Sequence, residues 1–277
     1  MKKVKSIIES LSLDVALAAL CGLLFASEIV QQPMPWWWFV ALLAGIWVVY
    51  SLDHLADACF LPGRAYNPRH VFYRQHKKLL IIALVFVGLT VTLLIVAFAN
   101  YRLLIAGFFL VLMSALHIIL VSFPKFKNRW FVQKEAMVAL IYTLGIWFGP
   151  LVQEGNIPDW SVILIMLAFI ITAWLESALI ALIELDFDRQ QQIRSVASDL
   201  GEKNTIRLLL SAGLIQLLFV MFMLLIGSSQ SAAWLILLVM NLALAVLFYY
   251  RKKLYKSAYY HLVGELVFCL PALIVFV

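Results

Sequence analysis

The stretch WSVILIMLAFIITAWLESALIALIELDFDRQQQIRSVASDLG, Trp160 to Gly201, decides the fold. From Trp160 to Ile183 its only ionisable side chain is Glu176, and the run exceeds the roughly 20 apolar residues that carry a helix across a bilayer. At Glu184 the character changes, and Glu184-Leu185-Asp186-Phe187-Asp188-Arg189 is dense in charge. The apolar part lacks the two-residue alternation of a barrel strand. An open strand would leave its backbone polar groups unpaired in lipid, so the run reads as a transmembrane helix with a charged end at the membrane surface.

Working outward, eight further blocks read the same way. The nine lie at about 11–30, 36–56, 79–99, 101–122, 133–152, 160–184, 205–227, 231–250 and 258–277, each bounded by charge, Pro, Gly or Asn. The chain has 277 residues, 65% hydrophobic and 13% charged, whereas a soluble domain carries roughly 25% charge. That excludes a soluble globular enzyme and a disordered chain. The net charge of +6 is spread in small clusters between apolar blocks and makes no surface for nucleic acid. The fold class is therefore an all-α polytopic membrane protein embedded in the lipid bilayer.

Of the 21 basic residues, all but Arg102 fall on one side when nine spans alternate. The positive-inside rule then puts the N-terminus and the long loops in the cytoplasm, with a bacterial inner membrane as the expected location. A missed or invented span would scramble this sorting. Met1-Lys2-Lys3 before an apolar run resembles a secretory signal, but Asp14 interrupts the run and no small-residue cleavage site follows. Trp36, Trp37 and Trp38 stand where an outer aromatic belt belongs. Cys21, Cys59 and Cys269 are too few and scattered for a disulfide framework or zinc site.

The outer loops are short and bland, and the inner ones carry the unusual residues. After the second block comes Asp53-His54-Leu55-Ala56-Asp57, then Pro68-Arg69-His70-Val71-Phe72-Tyr73-Arg74-Gln75-His76. After the sixth come Glu184, Asp186 and Asp188, then Arg194-Ser195. Basic segments follow the fourth block (Lys125 to Lys134) and the eighth (Arg251 to Lys256). This order of acidic, basic, acidic, basic points to two four-helix halves plus a ninth helix. Functional sites of membrane proteins often lie between such halves.

Asp53 and Asp57 are four apart, as are Glu184 and Asp188, which on a helix puts each pair of carboxylates on one face. One such pair is an ordinary solvated helix end; two pairs at equivalent ends, each followed by Arg and Lys, point to a bound cation. Mg²⁺ takes oxygen ligands and is usually held by one or two carboxylates plus substrate phosphates. The candidate metal ligands are Asp53, Asp57, Glu184, Asp186 and Asp188. The candidate diphosphate-binding residues are Arg69, Arg74, Lys127, Lys134 and Arg194. A diphosphate at the surface above an apolar helical cavity implies a lipid tail below it, so the expected substrate is an isoprenoid diphosphate.

On these motifs the chain resembles the UbiA superfamily of intramembrane prenyltransferases over essentially its whole length, as one transmembrane prenyltransferase-like domain of residues 1–277. The second acidic motif matches, with Glu184 in place of the more usual Asp, then Asp188, Arg194-Ser195 and Gly201. The Lys125-to-Lys134 loop, with Gln133, is similar to the family's basic segment, and Lys134-Glu135 is a candidate contact. The first motif departs: the carboxylates map onto Asp53 and Asp57, but Val49 and Tyr50 stand where the family has Asn and Asp. The Pro68-to-His76 segment reads as a branch-specific insertion whose Arg and His residues replace lost diphosphate contacts.

The resemblance implies Mg²⁺-dependent transfer of a prenyl chain to a hydrophobic acceptor, aromatic acceptors included, with Asp53, Asp57, Glu184 and Asp188 as catalytic residues. Cations stabilise the leaving diphosphate, and a water-poor cavity shields the allylic carbocation. Tyr50, Phe72, Tyr73, Tyr142, Trp147 and Trp174 offer π faces to it. Glu176, Glu265, Asp14 and His117 are ionisable groups within spans and count as functional candidates. Glu176 is the expected acceptor-binding or general-base group; His54 and His70 are further candidate proton acceptors near the metal, and Tyr50 and Tyr142 candidate cavity residues. Two other readings stand beside transfer: a terpene cyclase of the same superfamily, favoured by the altered first motif, and a non-catalytic lipid binder or transporter. The sequence sets neither chain length, nor acceptor, nor oligomeric state.

Overall fold

A computed structural model describes residues 11–60, 68–122, 134–153, 158–191, 193–227, 230–257 and 259–276. Among these residues there is no strand, and eight helices are long and apolar enough to cross a membrane. In chain order they are α1 (Leu13–Val30), α2 (Trp36–Phe60), α4 (Lys77–Phe98), α5 (Tyr101–Ser122), α6 (Lys134–Val152), α7 (Trp160–Ile183), α10 (Glu202–Ile226) and α11 (Ser231–Ser257). Short helices α3 (Pro68–Gln75), α8 (Leu185–Gln191) and α9 (Val196–Leu200) join them, and α12 (Tyr260–Val267) begins the last apolar segment.

Several boundaries differ from the expected ones. Helix α2 continues past residue 56 to Phe60, and α11 past 250 to Ser257, because surface charge does not by itself end a helix. The Pro68-to-His76 insertion is mostly helical, with proline in the first turn, where its missing N–H costs nothing. The ninth block is not one helix over 258–277: α12 stops at Val267 and a 3-10 segment follows over Leu270–Phe276. Pro271 explains the change, since it has no N–H to donate and its ring would clash with the carbonyl of Val267. The bonds tighten to Phe268 N–H to Glu265, Cys269 N–H to Leu266 and Ala272 N–H to Cys269.

Helix α7 is the centre of the bundle and packs against α6, α10 and α11. Its Phe169 meets Phe25 of α1 at 6.1 Å, Trp147 of α6 at 6.4 Å and Phe268 at 5.7 Å between ring centroids. Polar bonds lock the same helices. Gln216 of α10 donates to the Ala168 carbonyl at 2.9 Å, and Asn241 of α11 donates to Thr172 Oγ1 at 3.2 Å. In lipid such a bond contributes about 0.6–2 kcal/mol, because the unfolded chain also finds partners. The last apolar segment packs between α11 and α1 and so closes the second half of the bundle onto the first.

The distribution of burial separates interior from lipid-facing helices. Of the α1 window 61% is buried, against 11% of α4. Helix α4 therefore presents Ile82, Phe86 and Leu93 outward, where hydrocarbon solvates them. The tryptophan triplet splits. Trp36 is exposed as a belt residue should be, but Trp37 and Trp38 are buried. The Trp38 indole lies where a Cβ on Gly149 of α6 would sit, so glycine there permits the α2–α6 approach.

Candidate functional site

The two acidic motifs lie at one end of the bundle, formed in different ways. Asp53 is inside α2, not after it. Glu184 ends α7 and Asp188 lies in α8, yet Asp188 N–H bonds to the Glu184 carbonyl at 2.9 Å, so the four-residue helical spacing survives the boundary. Asp186 is exposed whereas Asp188 is buried, which sorts the second motif into an outward and an inward carboxylate.

Burial is the main force on Asp188 and lifts its carboxyl from the ordinary 3.8 to about 6, with nearby Glu184 and Glu135 adding to the effect. A hydrogen bond from the Ser195 side chain and the charge of Lys134 oppose it. Ser195 also caps α9: its Oγ accepts from Ser198 N–H at 3.2 Å, while Ser198 Oγ accepts from Ser195 N–H at 2.8 Å. Glu135, next to Lys134 on α6, accepts the Val196 N–H at 2.9 Å with Oε1, and its Oε2 is buried without a hydrogen-bond partner.

Asp53 Oδ1 is also buried and has no hydrogen-bond partner among the described residues. His117 of α5 lies within electrostatic reach of both Asp53 and Lys134. Lys134 is likewise within electrostatic reach of Asp188. His54 is engaged elsewhere. Its Nε2 is 3.2 Å from Ser12 Oγ, and its ring meets Tyr73 edge-on at 5.5 Å. Tyr73 is wholly buried and its hydroxyl donates to Ser51 Oγ at 3.1 Å, so these two residues fasten α3 onto α2.

The other expected phosphate ligands have separate surroundings. Arg194 makes a two-pronged ion pair with Asp199, Nε at 3.1 Å and Nη2 at 2.7 Å. Arg74 is exposed. Lys127 lies outside the described residues, as do the side chains of Asp57, Arg69 and His70. Among the described residues no three His, Cys, Asp or Glu side chains converge as a complete metal cage.

Glu184 has partners that the sequence did not announce. Its Oε1 accepts the Tyr260 hydroxyl at 2.8 Å and meets His261 Nε2 at 3.0 Å, both on the first turn of α12. The extra methylene of glutamate over aspartate supplies the reach. The only signal was His261 four residues before Glu265, one face of an apolar helix.

Below this surface, along α7, lies Glu176. It is eight residues from Glu184, about 12 Å of helix at 1.5 Å per residue. A Cβ on Gly264 of α12 would come within 2.5 Å of Glu176 Oε1, so glycine lets this carboxyl lie against the α12 backbone. Tyr142 of α6 is within electrostatic reach of Glu176, Glu265 and Tyr50, and its buried hydroxyl has no hydrogen-bond partner.

The sequence model of the UbiA prenyltransferase family matches residues 73–263. A comparison with curated proteins finds no match. Two solved structures of a UbiA homolog from Archaeoglobus fulgidus share the fold. The one bound to GPP and Mg²⁺ has a TM-score of 0.61 at 16% identity, covering 97% of this chain and 99% of that one. The one bound to DMAPP and Mg²⁺ has a TM-score of 0.61 at 15% identity, with the same coverage. The match across most of the chain, on this arrangement of helices, makes the chain a member of the UbiA prenyltransferase family.

Proposed function

We propose that the protein transfers a prenyl chain from an isoprenoid diphosphate to a hydrophobic acceptor within the membrane, with Mg²⁺ as cofactor. The observation that carries this reading is the buried Asp53 carboxylate oxygen with no hydrogen-bond partner among the described residues, at the same end of the bundle as the buried Asp188 and nearby Lys134. A lone buried carboxylate oxygen costs free energy unless a cation or donor completes it. The residues present suit Mg²⁺: hard oxygen donors from Asp53 and Asp188, joined by Asp57 and Glu184, with the remaining ligands left to water and diphosphate. The UbiA homolog bound to GPP or DMAPP and Mg²⁺ supports the same substrate class. When bound, Mg²⁺ supplies charge stabilisation to the departing diphosphate.

The chain's own residues do the rest. Lys134 neutralises phosphate oxygens from α6. Ser195 and Glu135 hold the segment after the second motif, and Asp188 is kept inward by burial. The aromatic lining of α1, α6 and α7 excludes water from the allylic centre. On the positive-inside rule this end of the bundle faces the cytoplasm of a bacterial cell, and residues 1–277 act as one domain.

A second reading, cyclisation of the prenyl diphosphate without an acceptor, draws support from Val49 and Tyr50 at two positions where the family carries polar groups. Purified protein in lipid, given geranyl, farnesyl and geranylgeranyl diphosphates with Mg²⁺ and phenolic or quinone-precursor acceptors, separates the two. Diphosphate release that depends on acceptor is expected. Acceptor-independent release with a cyclic hydrocarbon product would replace transfer with cyclisation. No Mg²⁺-dependent turnover with any chain length would sink both.

A further inference from the structure

At the end of the bundle opposite the acidic motifs, α5 and α6 form a groove that diphosphate chemistry leaves unused. One face of α5 supplies Arg102, Ile105, Ala106 and Phe109, at the i, i+3, i+4, i+7 spacing of neighbours on a helix. Helix α6 supplies Phe148 and Val152, four apart, and the groove has a volume of about 540 Å³. Ala106 is buried and forms its floor, whereas Ile105 and Phe109 are exposed and form a wall.

The groove starts at the membrane surface and runs inward. Exposed Trp36, Tyr101 and Trp160 lie at this same end, at the level of an aromatic belt. From Arg102 to Phe109, α5 descends about 10 Å at 1.5 Å per residue, within a leaflet whose hydrocarbon is about 15 Å deep. The rim is fixed by Asn100. Its Oδ1 accepts the Leu103 N–H at 2.9 Å and caps α5, and its Nδ2 donates to the Gln153 carbonyl at 3.3 Å, so the start of α5 is tied to the residue after α6.

Arg102 supplies the charge. When the spans alternate it is the one basic residue of 21 that falls at this end. Its guanidinium lies over the Tyr101 ring, 5.6 Å from the centroid, and its Nε donates to the Tyr101 hydroxyl at 3.1 Å. No carboxylate among the described residues pairs with it, and its two Nη groups donate to none of them. We propose that the groove holds an acyl chain of a phospholipid with a net negative headgroup, whose phosphate accepts hydrogen bonds from the Arg102 guanidinium.

A chain that enters the groove from bulk lipid exchanges hydrocarbon for hydrocarbon, so the apolar walls hold it by packing and do not tell one lipid from another. The headgroup decides. The planar guanidinium fits phosphate oxygens in paired, charge-assisted hydrogen bonds. A zwitterionic headgroup also brings an ammonium beside the guanidinium, and no described carboxylate pairs with Arg102 to offset that repulsion. A headgroup whose only charge is the phosphate avoids it.

The test uses the full chain in phosphatidylcholine vesicles doped with one of two photoactivatable lipids that carry the same diazirine chain, a phosphatidylglycerol or a phosphatidylcholine, with labelled residues mapped by peptide mass spectrometry. The phosphatidylglycerol is expected to label Ile105, Phe109 and Phe148 about fivefold or more above the phosphatidylcholine, the preference that one basic side chain at a membrane surface gives. Arg102→Gln should bring the two lipids level, and Arg102→Lys should keep part of the preference. Ala106→Leu raises the floor and should lower groove labelling by both. Labelling of the lipid-facing Phe86 of α4 should stay the same in every variant, which shows that the chain is inserted and folded. Equal labelling of the groove by the two lipids, a preference that survives Arg102→Gln, or labelling untouched by Ala106→Leu overturns the inference. Displacement of the lipid by excess inorganic phosphate overturns it in favour of a free-anion site. Absence of groove labelling while Phe86 is labelled overturns it in favour of a second copy of the chain seated there.

Discussion

Glu184 Oε1 lies 3.0 Å from His261 Nε2 and accepts the Tyr260 hydroxyl at 2.8 Å, so the second acidic motif is tied to the first turn of the last apolar segment. A carboxylate held by two donors cannot swing freely. If Glu184 ligates Mg²⁺, these donors orient it, and loss of such orienting contacts typically costs 10–100-fold in metal affinity. His261→Phe is therefore expected to weaken Mg²⁺ binding, measured in the presence of a prenyl diphosphate, by about tenfold or more. Unchanged affinity would mean that Glu184 serves packing only.

Asp188 makes a prediction with a definite sign. Its carboxyl is raised to about 6 from 3.8, chiefly by burial. The folded chain therefore holds this proton more tightly than the unfolded chain does. Ionisation destabilises the fold as pH rises through that window, and the full cost is present above about pH 6. Asp188→Asn removes the cost. It is expected to raise the melting temperature of the metal-free protein at about pH 8, by an amount equivalent to about 1–3 kcal/mol, and to have little effect at about pH 4. The same substitution should weaken Mg²⁺-dependent substrate binding about tenfold or more. A destabilised Asp188→Asn protein at high pH would contradict the burial argument.

Gly264→Ala tests the contact between α12 and α7. The added Cβ would sit 2.5 Å from Glu176 Oε1, the far end of a flexible side chain, with Ile180 at an ordinary 3.7 Å. The carboxyl can move aside, so stability should change by less than about 1.5 kcal/mol. Acceptor-dependent kcat should fall, because Glu176 is displaced. A large loss of stability, seen by thermal unfolding, would show that the backbone is clamped here.

Glu135→Ala leaves the Val196 N–H without its side-chain acceptor, at the start of a helix of only five residues. An unmet buried donor costs about 1–3 kcal/mol. Hydrogen exchange at Val196 and its neighbours should accelerate, and diphosphate affinity should drop, with Glu135→Gln retaining most of both.

Much of this architecture is legible in the residues themselves. The run from Trp160 to Ile183 and the basic sorting of the loops need no tertiary information, because lipid imposes length and polarity on each span alone. The i, i+4 carboxylates are legible for the same local reason. What escaped was set by packing between distant segments. Pro271 marks the break in the last block, but the segment's apolar composition hid it. Trp37 and Trp38 turn inward because Gly149 on another helix admits them. His54 reads as a candidate base beside the metal, and its place is fixed by Ser12 and Tyr73. Arg194 reads as a phosphate ligand, and Asp199 five residues on holds it. Lys134 lies within electrostatic reach of both His117 and Asp188, a property of no single stretch of sequence.

The account rests on Asp53 and Asp188 acting together on one Mg²⁺-diphosphate unit, with Lys134 neutralising phosphate beside Asp188. The direct measurement is binding of geranyl diphosphate to the full chain in lipid, with Mg²⁺ and with a chelator. Wild type should bind only with Mg²⁺. Asp53→Asn, Asp188→Asn and Lys134→Ala should each lose about tenfold or more in affinity, and the Asp53/Asp188 double variant should lose less than the sum of the singles in free energy. Binding that survives the chelator, or is untouched in both Asp→Asn variants, would contradict the account.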